Sequence, residues 1–81
     1  MNKFENEIIC ELRSQWKYTE LNYQAFAKEW RRLDDEEQEI KDKESLKAKE
    51  NRANKRATFD KMYELDKKCV ALIKAIDKLE N

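Results

Sequence analysis

The sequence predicts an all-α fold, an antiparallel two-helix hairpin packed like a coiled coil, and three observations carry that expectation. The 81-residue chain contains no Gly and no Pro, the residues on which tight turns and β-hairpins depend. Its apolar side chains recur alternately three and four residues apart, the spacing of a heptad seam. Charged residues make up 44% of the chain, enough to coat the outside of long helices but too many for a conventional globular core.

The first helix is expected over about residues 3–41. Asn2, followed three positions on by Glu5, supplies an N-cap with a capping-box-like partner. The seam then runs Ile9, Leu12, Trp16, Thr19, Tyr23, followed by Phe26, Trp30, Leu33, Glu37 and Ile40. Trp16, Tyr23 and Trp30 share one heptad position, and side chains of that size suit a bundle core better than a slim zipper. Helical spacing also favours a core over a base-stacking platform for these rings, since each large ring can bury about 150–250 Å².

The reversal is expected at residues 42–45, where Ser45, preceded by Asp42, is the best available N-cap for a second helix over about 46–80. A different break, at Asp34-Asp35 with Arg31 and Arg32 closing the preceding helix, would agree with the helix dipole and give three segments. The second seam is Met62, Leu65, Cys69, Leu72, Ile76 and Leu79, widened by Phe59 and Ile73. Asp34 to Arg56 is strongly charged, with Ile40 and Leu46 its only large apolar residues. It has high helix propensity and little to bury.

One continuous helix would place Glu37, Glu44, Asn51 and Thr58 along its seam, too polar a line to hold a coil together. Folding back near Glu44 pairs Ile9 with Leu79, Leu12 with Ile76, Trp16 with Leu72, Thr19 with Cys69, Tyr23 with Leu65 and Phe26 with Met62. Charge agrees with this register. Residues 1–40 carry six basic and ten acidic side chains, whereas residues 41–81 carry twelve basic and eight acidic. Asp34, Asp35, Glu36, Glu37 and Glu39 then lie along Lys49, Arg52, Lys55 and Arg56. A hairpin would be roughly 60 Å long and a continuous helix roughly 120 Å.

Composition also bounds function. Without Gly there is no phosphate-cradling loop or dinucleotide fingerprint, and without His only carboxylates and two distant cysteines could ligate a metal. No catalytic residues, metal or cofactor are therefore expected, and a Cys nucleophile with no His to activate it makes an enzyme a poor expectation. The N-terminus, MNKFENEI, has no basic region leading into an apolar run, and no stretch approaches the ~20 apolar residues of a membrane span. The expectation is a soluble cytoplasmic protein with reduced thiols at Cys10 and Cys69, and with no membrane partner, since its polar faces mix both signs of charge.

What remains is binding. Phe4, Tyr18, Leu21 and Ala25 project away from the seam of the first helix, with Tyr63 and Val70 similarly displaced on the second. A small core commonly needs oligomerisation for stability. Scattered apolar residues on a surface are normal, so plain exposure is one reading of these off-seam residues; the favoured one is a homo-oligomer, two hairpins making a four-helix bundle, and the next a different protein partner, for which the Arg31-Arg32 pair also offers side chains typical of hot spots. The expected function is that of an adaptor, assembly factor or inhibitor.

A second class of reading rests on Lys47, Lys49, Arg52, Lys55 and Arg56, which precede Leu65, Leu72 and Leu79. Basic segment followed by zipper is the outline of a basic-zipper DNA reader. In detail such readers carry an Asn, two small residues and an Arg on one helix face. From Asn51 those places hold Asn54, Lys55 and Phe59. Nucleic acid is accordingly the alternative partner, through phosphates alone. A virus or mobile-element accessory factor acting on a host protein fits the chain's size and rests on no residue.

Overall fold

The computed structural model describes residues 3–80, and the fold is the all-α hairpin. Helix α1 spans Lys3–Glu39 and helix α2 spans Leu46–Glu80, with residues 40–45 turning the chain back. The molecule measures 61 × 14 × 14 Å, the length of a folded chain and half that of a continuous helix. The chain does not break at Asp34-Asp35, which lie inside α1. Asn2, the expected cap of α1, lies outside the described residues.

The seam of α1 packs as its periodicity predicts. Ile9, Thr19 and Leu33 are buried, and Leu12, Trp16, Tyr23, Trp30, Glu37 and Ile40 are partly buried. Thr19 is compatible with this line because its Oγ1 hydroxyl donates to the Gln15 carbonyl at 2.7 Å, satisfying the polar group within the helix. Phe26 sits at the edge, 36% exposed. On α2 the inner line is longer than expected. Leu72 is buried, and the same three-and-four spacing continues toward the turn through Thr58, Lys55, Asn51 and Ala48, of which Asn51 and Ala48 are buried. The charged stretch therefore does bury side chains, polar ones included.

Two expectations change here. Phe59 and Ile73 do not widen the buried face of α2: they are 55% and 44% exposed, because two antiparallel helices cover only one stripe each. The charge alignment is also narrower than expected. Lys55 alone crosses to the acidic end of α1, its Nζ lying 2.7 Å from Asp34 Oδ1 and 2.8 Å from Glu37 Oε2. Among the described residues, Lys49, Arg52 and Arg56 make no ion pair, while Arg32 is held inside α1 by Glu29 and Glu36. At the other end Arg13 of α1 pairs with Glu80 of α2, so ionic contacts fasten the hairpin near both ends.

The turn is built without glycine, and none of the described residues has positive φ. α1 ends two residues earlier than expected, at Glu39. The Ile40 N–H donates to the Glu37 carbonyl at 3.1 Å, and Lys43 Nζ donates to the same oxygen at 2.5 Å. A lysine from the turn thus supplies the cation that the last turn of α1 lacks. Asp42 then makes an Asx turn, its Oδ1 accepting the Glu44 N–H at 3.0 Å. Ser45 caps α2: its Oγ accepts the Ala48 N–H at 3.2 Å, and its hydroxyl donates to the Asp42 carbonyl at 2.7 Å. Side chains here do what a C′ glycine does elsewhere.

Candidate interaction surfaces

The expected partner-binding residues do not form one patch. Phe4, Tyr18, Ala25 and Arg32 differ by multiples of seven and so lie on one column of α1, with Leu21 one turn from Tyr18 on the neighbouring column. Tyr18, Leu21 and Ala25 form a continuous exposed stripe on the outer face of the hairpin. Phe4 stands about 21 Å along the axis from Tyr18, with the exposed Glu7 and Glu11 between them, so it belongs to a separate end of the helix.

Arg31 and Arg32 separate as well. Arg32 donates from Nη2 and Nε to Glu29 at 2.5 and 3.0 Å and from Nη1 to Glu36 at 3.2 Å. That arrangement lowers the Glu29 carboxyl below its ordinary range, chiefly through the hydrogen bond, and raises the guanidinium. Arg31 instead borders an open groove with Tyr23, Gln24, Ala27 and Lys28.

The basic segment is divided in the same way. Lys47, Lys49, Arg52 and Arg56 are exposed, but Lys55 points inward. Besides Asp34 and Glu37, its ammonium lies 4.8 Å from the centre of the Trp30 ring, a cation–π distance. Hydrogen bonds to Asp34 and then Glu37 raise its pKa above the ordinary lysine value. Lys55 is thus a structural clasp and is removed from any phosphate-binding set. The heptad line running through Asn51, Lys55 and Thr58 contained that signal: residues on the inner line of an antiparallel pair face the other helix.

A further exposed surface lies along α2, on residues that the heptad pattern alone does not group together. Phe59, Tyr63, Val70 and Ile73 are all 43% exposed or more and follow one another at alternate spacings of four, seven and three along a single flank of α2. Open grooves run beside them. One is lined by Tyr23, Phe59, Met62, Tyr63 and Asp66, and another, nearer the chain ends, by Arg13, Trp16, Lys17, Ile73, Ile76 and Asp77. These grooves fix the inter-helix register near the expected one, since Trp16 shares a groove with Ile76 and Tyr23 with Met62.

Cys69 lies part-buried between the two grooves with Trp16, Glu20, Tyr23 and Asp66. Burial, then the negative charges of Asp66 and Glu20, push its thiol up, away from nucleophilic behaviour at neutral pH. Cys10 is exposed, and both thiols are free. Among the described residues no three His, Cys, Asp or Glu side chains come together as a metal cluster. None of the helices described is long and apolar enough to cross a membrane. No family model matches the chain, nor does any curated protein or solved structure.

Proposed function

We propose that the chain is a non-enzymatic interaction module of the cytoplasm, a helical hairpin that self-associates and docks a protein partner as an adaptor, assembly factor or inhibitor. One observation carries this reading. Among the described residues the hairpin buries only four apolar side chains, Ile9, Leu33, Ala48 and Leu72, yet leaves Tyr18, Leu21, Phe59, Tyr63, Val70 and Ile73 open. A core that small gives little net stability, and exposed apolar stripes on helices are surfaces that other helices cover. The Tyr18, Leu21 and Ala25 stripe is the docking site for the protein partner, with Arg32 at its end.

The test is an affinity capture from source-cell lysate with the wild-type chain and with Tyr18→Glu/Leu21→Glu, each before and after nuclease treatment. A protein retained in stoichiometric amount after nuclease, and lost with the double substitution, is the expected result. Retention that ignores the substitution would remove the α1 stripe from the proposal. Recovery of nucleic acid, lost on reversing Lys47, Lys49 and Arg52 and falling steeply with salt, would transfer the function to the exposed cations near the turn.

A further inference from the structure

We propose that a second copy of this chain packs on the open flank of α2, helix antiparallel to helix, joining two hairpins through α2 into a four-helix dimer. This rests on the self-association proposed above and supplies its surface and register.

Helix α2 carries two heptad lines. The inner one faces α1. The outer one repeats the same three-and-four spacing on the exposed flank and is divided by chemistry along its length. It begins with three cations, Lys49, Arg52 and Arg56, continues with Phe59, Tyr63, Val70 and Ile73 around Asp66, and ends with Asp77 and Glu80. Every one of these residues is exposed in the hairpin, and none of the three cations has an ion-pair partner among the described residues.

Such a line is complementary to itself. A two-fold axis passing between Glu64 and Leu65 sets Arg52 against the second copy's Asp77, a pairing that occurs twice by symmetry, and brings Lys49 to the outer side of its Arg13–Glu80 pair. The same operation places Phe59 on Val70, the stem of Arg56 along Ile73, and the Tyr63 hydroxyl beside Asp66. A parallel arrangement would oppose like charges. A slip of one heptad keeps one opposite-charge pair, Arg56 with Asp66 or Arg56 with Glu80, but sets Arg52 against Val70 in one direction or Asp77 against Phe59 in the other, so the register with the axis between Glu64 and Leu65 matches charge and burial at more positions.

The neighbouring surface agrees. The groove beside Ile73 and Asp77 is apolar along Trp16 and Ile76 and receives the Arg52 and Arg56 stems of the second copy. Its bordering cation Arg13 is already neutralised by Glu80. From Lys49 to Glu80 the stripe is about 47 Å long and about 10 Å wide, so two copies cover about 1,000 Å², the lower bound of a specific interface. The outer stripe of α1 is a poorer self-interface. It has only Tyr18, Leu21 and Ala25 at its centre, and Arg32 is already engaged by Glu29 and Glu36.

Sedimentation equilibrium over about 1–200 µM, a range suited to micromolar affinity, tests the interface on the full chain, with circular dichroism confirming that each variant stays helical. Arg52→Asp and Asp77→Arg should each weaken the dimer at least about tenfold, because each creates two like-charge contacts. The double variant Arg52→Asp/Asp77→Arg should return to within about threefold of wild type, as expected for directly coupled sites. A dimer that ignores both substitutions but dissociates with Leu21→Glu would overturn this interface and leave self-association standing. A chain that stays monomeric throughout would overturn both.

Discussion

Lys55 is the residue on which the turn-proximal end of the hairpin depends most. It joins Asp34 and Glu37 of α1 to α2 and lies over Trp30, in a position partly shielded from water. Lys55→Met keeps the stem against the ring and removes the charge, leaving two neighbouring carboxylates without their cation. A loss of about 1.5–3 kcal/mol is expected from the charge-assisted hydrogen bonds, read as a melting temperature lowered by about 4–8 °C per kcal/mol.

The pH dependence has a definite sign. The folded pKa of Lys55 is raised, so its contribution is complete below the unfolded lysine value of about 10.4 and is lost as pH rises through the still higher folded value. The stability difference between wild type and Lys55→Met should therefore hold from neutral pH to about 10 and close above it. Asn51 has the opposite balance. It is buried, and neither of its amide atoms has a hydrogen-bond partner among the described residues. Asn51→Leu should stabilise the hairpin by about 1–3 kcal/mol in denaturant titration. A polar residue on a seam can also fix register, so the same variant should associate with less well-defined stoichiometry.

At the scale of the helices, the sequence conflicts locally with the helix dipole. α1 ends in acidic residues, with no cation in its last turn, and α2 begins without an acid in its first turn. Both arrangements oppose the partial charges at those ends. Lys43 on the Glu37 carbonyl and the Ser45 cap offset the conflict within the turn, and Lys55 offsets it across the pair. Ser45→Ala should cost about 1 kcal/mol, whereas Ser45→Asp, which keeps an acceptor and adds a negative charge at the start of α2, should hold or raise stability. Thermal melts of the two variants against wild type check this. The N-cap itself was legible, because Ser45 is the best available cap in reach of a reversal that the seams demand. The early end of α1 was not. It depends on Lys43 folding back onto a carbonyl six residues before it, a contact with no periodic signature.

For the whole molecule, solution scattering should give a maximum dimension close to the 61 Å of the hairpin and about half that of a continuous helix. Cys10 should alkylate well before Cys69 at neutral pH, since Cys10 is exposed while Cys69 is part-buried with its thiol pushed up. Equal rates in timed labelling with mass detection would show that the two helices separate readily.

The class and most of the inner face of α1 were legible from the sequence alone, and so was a reversal near Glu44 as the favoured one; that the chain does not also break at Asp34-Asp35 was decided by the fold. The legible part follows from the absence of Gly and Pro and from a periodicity that any helix must express at 3.6 residues per turn. The sequence did not determine which polar residues would be drawn inside or which apolar ones left out. Lys55 and Asn51 became inner residues, and Phe59 and Ile73 outer ones, once the second helix settled on one rotation about its axis. A heptad repeat constrains spacing, but two lines on α2 share the same spacing, and only packing against α1 decides which one faces in. The structure that buried one of them left the other as a surface.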